Sequence, residues 1–339
     1  MKVLVTGGAG YIGSHTCLAL REAGHTPVIL DSLVNGRPEY TQGYIFYQGD
    51  IADEALLNRI FQEQGPLDCC IHFAARIVVP ESVQNPYLYY HENVAKSLEL
   101  FRILDSLGMK RIIFSSSASI YGSVKGDDYA VTEDAPKDPS SPYARTKLMM
   151  EMVLEDTSRA MCFKGIALRY FNPIGADPQM RVGPYDPNPT HVLGTMVTCA
   201  LTGRPFNVTG TNWPTRDGSG IRDYLHVWDL AKAHVAAVEH FDSAFEKMGG
   251  DFLPINLGSG NGCTVFELAN AFNAVYSRLK GKTLTIGTAP ARPGDVAGAY
   301  AKPDRAAELL EWKTQLTIEE AIEHALIWTE VERVKKLGY

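Results

Sequence analysis

The first fourteen residues constrain this chain more than any other stretch. Lys2-Val3-Leu4-Val5-Thr6 is a short apolar, β-branched run of the kind that makes a strand buried on both faces. Gly7-Gly8-Ala9-Gly10-Tyr11-Ile12-Gly13 follows at once, and an apolar helical pattern continues to about Glu22. The glycines fit two spacings: G-x-G-x-x-G through Gly8, Gly10 and Gly13, and G-x-x-G-x-x-G through Gly7, Gly10 and Gly13. A strand turning this tightly into a helix needs positions without a Cβ, and the bare backbone lets a pyrophosphate approach. The helix start then offers that phosphate unpaired N–H groups and the positive end of its dipole. The next apolar run, Pro27-Val28-Ile29-Leu30, ends in Asp31. An acid about 20 residues past such glycines bonds the ribose hydroxyls of an adenosine. A carboxylate there repels a 2′-phosphate, so the pattern points to NAD.

Strand-like runs at 27–31, 44–48, 69–73, 111–116 and 165–171 alternate with helical patterns near 53–63, 87–107 and 142–160. That alternation predicts an α/β chain with a doubly wound parallel sheet, the Rossmann arrangement, with ligand residues at the carboxyl ends of the strands. From about Asn172 the texture changes: prolines and glycines crowd 173–189 and 210–220, and the helical patterns shorten. Thr264-x-x-Glu267 and Thr317-x-x-Glu320 read as capping boxes. The expected organisation is an NAD-binding domain over 1–178, with chain near 223–243 returning to it. A smaller C-terminal lobe, mainly 179–339, would bind the substrate.

A formal charge of −7 without a Lys/Arg cluster argues against a nucleic-acid partner. No apolar stretch approaches the ~20 residues of a membrane helix, and a chain entering a core strand at once leaves no room for a signal peptide. Six cysteines without a C-x-x-C pair and nine histidines without H-x-x-x-H predict reduced thiols, a cytoplasmic location and no metal site. Two helical patterns are apolar beyond one face. Leu148, Met149, Met150, Met152, Val153 and Leu154 do this in 142–160, and Leu88, Tyr89, Tyr90, Val94, Leu98, Leu100, Phe101 and Leu104 in 87–107. They predict a homodimer packed through these helices.

Chemistry-bearing residues gather in the middle of the chain. Ile112-Ile113-Phe114 delivers Ser115-Ser116-Ser117 at a strand's carboxyl end. Ser140-Ser141-Pro142 opens a helix in which Tyr143 and Lys147 lie four apart, on one face. A phenol titrates near pH ~10 and is a poor base at neutrality. A nearby ammonium and a positive nicotinamide ring would favour the phenolate, and a serine hydroxyl can relay its proton. Beside a dinucleotide, this trio can move a hydride to or from a carbinol carbon.

Further motifs extend the pattern: His72-Phe73-Ala74-Ala75, Ile120-Tyr121-Gly122, Arg169-Tyr170-Phe171-Asn172-Pro173, Gly220-Ile221-Arg222-Asp223-Tyr224-Leu225-His226-Val227 and Arg292-Pro293-Gly294-Asp295. With them the chain resembles, over essentially its whole length, the extended short-chain dehydrogenase/reductases, and among these the nucleotide-sugar 4-epimerases. The resemblance implies interconversion of UDP-galactose and UDP-glucose through a transient 4-keto sugar, with hydride returned to the opposite face. It implies Tyr143 as the base for the 4-hydroxyl, Ser117 on the 4-oxygen, and Lys147 on the nicotinamide ribose. It surrounds NAD with Gly7, Gly10, Tyr11, Ile12, Gly13, Asp31, Asn35, Asp50, Ile51, Phe73, Ala74, Ala75, Asn93, Ser115, Tyr170 and Phe171. Asn172, Arg222, Arg292 and Asp295 would hold the UDP end, and His191 and Val192 are further substrate candidates.

Where several relatives carry a lysine this chain has Ile77, with Arg76 beside it, and no phosphate contact is assigned there. Ala299 stands where relatives restricted to plain hexoses commonly carry tyrosine, which leaves room for an acetamido group and implies UDP-GalNAc and UDP-GlcNAc as further substrates. A 4,6-dehydratase would need carboxylates on the serine strand, and Ser116-Ser117-Ala118-Ser119 supplies none. A UDP-glucuronate 4-epimerase is not excluded by these motifs. A non-catalytic NAD-binding regulator would have lost the tyrosine, lysine or serine, and all three are present.

Overall fold

Apolar runs of four to seven residues, too short for helices, form the centre of the molecule. The computed structural model describes residues 1–122, 129–161, 163–291 and 295–336. Its main sheet has seven strands: β1 (Lys2–Thr6), β2 (Thr26–Asp31), β3 (Ile45–Gln48), β4 (Cys69–His72), β5 (Arg111–Ser117), β6 (Lys164–Tyr170) and β7 (Phe252–Leu257). All pairings are parallel, in the order β7-β6-β5-β4-β1-β2-β3. Successive side chains of a strand leave on opposite faces. Thus Val3, Val5, Ile29, Ile71, Ile113 and Ile166 enter one core, and Leu4, Val28, Leu30, Cys70, Ile112 and Phe114 the other.

Helices cover both faces: α1 (Tyr11–Glu22), α2 (Glu54–Gln64), α3 (Lys96–Ser106), α4 (Pro142–Ala160) and α6 (Val227–Glu239), while α5 (Val192–Thr202) belongs to the second lobe. Cys17, Leu18 and Leu20 of α1 and Leu230 and Val235 of α6 fill the first core. Leu57 and Ile60 of α2, Leu100 and Phe101 of α3, and Met150 and Leu154 of α4 fill the second. The doubly wound sheet is therefore as the sequence predicts, with two differences. The return of the chain continues past 243, because Phe252–Leu257 pairs with β6 from Phe252↔Gly165 to Leu257↔Tyr170. Pro254 is tolerated because this strand is the edge of the sheet. The pattern at 87–107 is helical throughout but not α-helical throughout: Pro86–Tyr90 and α3 are joined by a π turn at His91–Ala95. The extra residue of such a turn redirects a side chain, here Asn93.

A third apolar cluster holds the second lobe together, with Leu193 and Met196 of α5, Phe206, Val208, Leu268, Phe272, Ile322 and Ala325. Its strands are short pairs: Phe206–Thr209 with Ile286–Ala289, Ile221–Arg222 with Cys263–Thr264, and Tyr224–His226 with Asn172–Ile174. Both capping boxes form. Among the described residues no helix is long and apolar enough to cross a membrane.

Candidate active site

Strand order reverses between β1 and β4, because the chain runs from β1 out to β3 and then crosses back. In open parallel sheets a crevice forms outside the carboxyl ends at such a point. Here it is a cavity of about 410 Å³. Gly7 has φ +72°, and a Cβ on it would lie 2.7 Å from the backbone nitrogen of Ala74, where the chain leaving β4 crosses the glycine turn. A Cβ on Gly13 would run into the Gly7 carbonyl oxygen. Gly7, Gly10 and Gly13 line the cavity, whereas Gly8 packs against Ile29 behind it. Of the two spacings in the sequence, G-x-x-G-x-x-G is the one that faces the cavity. Gly10 caps α1 without a side chain, leaving the first amides of the helix uncapped beside the cavity.

One end of the cavity carries acids. Asp31 accepts from the Ala9 N–H at 3.0 Å and the Leu33 N–H at 2.8 Å, and burial raises its carboxyl above the usual range. Asn35, Asp50 and Ile51 line the same region, and Asp50 pairs with Lys96 at 2.6 Å.

The other end carries Phe73, Ser115, Ser117, Tyr143, Lys147, Tyr170 and Phe171. Helix α4 starts where Ser141 Oγ accepts from the Ala144 N–H at 3.2 Å, with Pro142 preset in the first turn. That start places Tyr143 and Lys147 over the end of β5. Tyr143 and Ser117 line this end together, close enough for the Ser117 side chain to favour the phenolate. Lys147 Nζ donates to the Ser115 carbonyl at 2.7 Å and lies 5.9 Å from the Tyr143 ring centre. Tyr170 hydrogen-bonds the Ser115 hydroxyl.

Without the nicotinamide ring, burial is the largest influence on Tyr143 and raises its phenol, with the Ser117 side chain opposing. Burial also brings Lys147 down to about 7, opposed by Glu151. Both shifts have one cause, since a dry site disfavours phenolate and ammonium alike.

Asn93, a further cofactor candidate, is fixed against Arg76 of the cavity wall: its Oδ1 accepts from the Arg76 N–H at 2.7 Å, and its Nδ2 donates to the Arg76 carbonyl at 2.9 Å and to Thr146 Oγ1 at 3.1 Å. The π turn makes it a clamp between the wall and α4.

Among the described residues, the candidates for the UDP end lie outside the cavity lining. Asn172 follows Phe171 with an exposed side chain, and its N–H donates to the Asp223 carbonyl at 2.9 Å. Arg222 donates to the carbonyls of Ile221 (2.7 Å), Ala297 (2.9 Å) and Val296 (3.2 Å), which joins it to the segment holding Asp295 and Ala299. Ala299 is half-buried against the first apolar core. His191 is the N-cap of α5, accepting from the Gly194 N–H at 3.1 Å, and Val192 is the first residue of that helix. Arg292 lies outside the described residues.

The sequence reading gave no role to Glu151. It lies one helical turn beyond Lys147, and its carboxylate accepts from Ser116 and, at 2.9 and 2.6 Å, from Arg169. The spacing Tyr143, Lys147, Glu151 was a visible signal, one face repeated at i, i+4 and i+8. Among the described residues no group of three His, Cys, Asp or Glu side chains could hold a metal ion.

Uncapped amides at the middle, a carboxylate at one end and a serine–tyrosine–lysine set at the other match a dinucleotide laid along the carboxyl edge of the sheet. Comparison with known proteins agrees. Residues 3–252 match the model of the NAD dependent epimerase/dehydratase family. The curated UDP-glucose 4-epimerase uge1 of Schizosaccharomyces pombe is 42% identical over 333 residues, 94% of this chain and 91% of that protein. A crystal structure of UDP-glucose-4-epimerase from Stenotrophomonas maltophila with bound NAD and formylated UDP-arabinopyranose superposes with a TM-score of 0.91 at 33% identity, covering 99% of both chains. A UDP-glucose 4-epimerase from Bifidobacterium longum in complex with NAD+ and UDP gives 0.89 at 35% identity, covering 98% of this chain and 99% of that one.

Proposed function

Since the chain belongs to the NAD dependent epimerase/dehydratase family, we propose that it interconverts UDP-galactose and UDP-glucose by inverting carbon 4 of the sugar. The observation that carries this is the Ser117–Tyr143 hydroxyl pair at one end of a cavity whose other end holds Asp31. When bound, NAD supplies a hydride acceptor and donor for that carbon. Tyr143 takes the proton of the 4-hydroxyl, and Ser117 bonds the same oxygen and passes the proton on. Lys147, fixed by the Ser115 carbonyl, stabilises the phenolate whenever it carries its charge. Arg222, Asn172 and Asp295, with Arg292, hold the UDP end while the sugar turns.

Glu151, the carboxylate that reaches the serine strand, is engaged by Arg169 and does not line the cavity. It is therefore not placed to eliminate water, which favours epimerisation over dehydration. The small side chain of Ala299 leaves space for an acetamido group, and we extend the substrates to UDP-GalNAc and UDP-GlcNAc.

The test is to incubate the purified protein, without added cofactor, with UDP-galactose and separately with UDP-GalNAc, and to follow both sugars by NMR. Conversion of both is expected. Conversion of neither, even with NAD supplied, would overturn the reading.

The dimer rests on exposed apolar side chains in the two expected helical regions: Tyr87 is 88% exposed, Met152 57%, Leu98 47% and Met149 43%. We propose that a second copy covers them, and a one-chain mass in sedimentation would remove this. Buried free thiols at Cys17, Cys69, Cys70, Cys199 and Cys263 suit a cytoplasmic location.

A further inference from the structure

Behind the Tyr143 end of the cavity lies a buried charge pair that the reaction does not use directly. Arg169 and Glu151 are 1% and 3% exposed and meet through two bonds, Nε to Oε1 at 2.9 Å and Nη2 to Oε2 at 2.6 Å. Glu151 Oε1 also accepts from the Ser116 hydroxyl. Arg169 Nη1 donates to the Tyr121 hydroxyl at 2.9 Å and the Glu133 carbonyl at 2.7 Å. The Tyr121 hydroxyl in turn donates to Asn256 Oδ1 on the edge strand at 2.7 Å. A buried pair of this kind is a poor source of stability, because desolvation offsets most of its attraction. Its presence asks for another reason.

The members sit beside the reacting groups in the chain. Ser116 lies between Ser115, whose carbonyl takes the Lys147 ammonium, and Ser117, which lines the cavity with Tyr143. Arg169 precedes Tyr170, whose hydroxyl bonds Ser115. Glu151 is one turn from Lys147 on the same face of α4. We propose that Glu151, held by Arg169, is a positioning residue that keeps Lys147 charged and ties β5 to α4, so that Ser117 and Tyr143 share one oxygen. This rests on the function proposed above.

The titratable and charged groups around Lys147 make the assignment specific. On its own helix they are Tyr143 and Glu151; β4 brings His72, and β6 brings Tyr170 and Arg169. Burial drives Lys147 down, and Glu151 is the group that opposes it.

The experiment uses full-length protein as purified, with lysine labelled at the ε-carbon, and reads the Lys147 titration midpoint by NMR; Lys147→Met identifies the signal. Glu151→Gln is expected to lower that midpoint by about 1 unit or more. It should also reduce kcat near neutrality ~10-fold with KM within about twofold, and move the optimum to lower pH. Arg169→Lys, which keeps a cation on Glu151, is expected to leave the midpoint near its original value. An unchanged midpoint and pH profile in Glu151→Gln, or an equal shift in Arg169→Lys, would overturn the proposal. Should Glu151→Gln fail to fold, Ser116→Ala decides: it leaves every charge in place and is expected to lower kcat ~3-fold at constant KM. An unchanged kcat there overturns the proposal. The midpoint is read without turnover, so it stands apart from any failure of the epimerase reading itself.

Discussion

The two ends of the proposed reaction are built differently. On the cofactor side, the groups sit on strand ends and helix starts of one parallel sheet, and the charged ones are fixed by short bonds: Asp31 by two amides, Lys147 by Ser115. On the sugar side, Arg222 and Ala299 sit on or beside strands of two residues, Asn172 and His191 are exposed, and Arg222 donates to the backbone carbonyls of Ile221, Ala297 and Val296. On the mechanism proposed here, a hydride returned to the opposite face of the sugar needs a fixed reagent and a sugar able to turn, and the two ends differ in that sense.

Four changes would break or sharpen this contrast. The largest effect belongs to the rigid half: Tyr143→Phe is expected to lower kcat ~10³-fold, because the base is lost. NAD content of the purified protein should stay unchanged, and a parallel loss of NAD would mean that the tyrosine holds the cofactor rather than the proton. Next, Ala299→Tyr should cut conversion of UDP-GalNAc more than ~10-fold while UDP-galactose changes less than ~3-fold. Equal losses on both sugars would show that the loose half does not discriminate.

The third change concerns pH. Lys147 titrates near 7 in the fold and higher when unfolded, so the unfolded chain binds more protons between those values. Its burial penalty is present in full below about pH 7 and fades as the pH rises toward ~10. Lys147→Met should therefore raise the melting temperature by ~3 °C at acid pH, with the gain shrinking at alkaline pH. A gain independent of pH would contradict the shift. The smallest effect is His191→Ala, expected to cost about 1 kcal/mol of stability as a lost N-cap, with kcat/KM unchanged. A fall in kcat/KM beyond twofold would instead make His191 a substrate contact.

The same contrast explains what could be read in the sequence. The glycine turn, Asp31 and the Ser115–Ser117 strand are local patterns, and neighbours in the chain remain neighbours in the fold. The sugar side depends on distant meetings, such as Arg222 with Val296 and Ala297, that no spacing announces. The π turn that sets Asn93 against Arg76 was hidden because one extra residue in a helix leaves no mark on its apolar spacing. Glu151 escaped because a carboxylate on a helix face looks solvated until Arg169 arrives from another strand. Strand β7 was hidden by Pro254 and Asn256, which an edge position and a buried bond to Val131 accommodate.

That edge strand also bears on how the chain is made. Strand β6 ends at Tyr170 and its partner begins at Phe252, with α5, α6 and several short strands between them. At ordinary ribosomal speeds the intervening segment of about 80 residues takes roughly 4–16 s to synthesise. Throughout that interval the nascent sheet presents β6 as an open hydrogen-bonding edge, the feature most prone to pair with another chain. Expression yield should therefore respond to chaperone supply during translation more than to the stability of the finished fold.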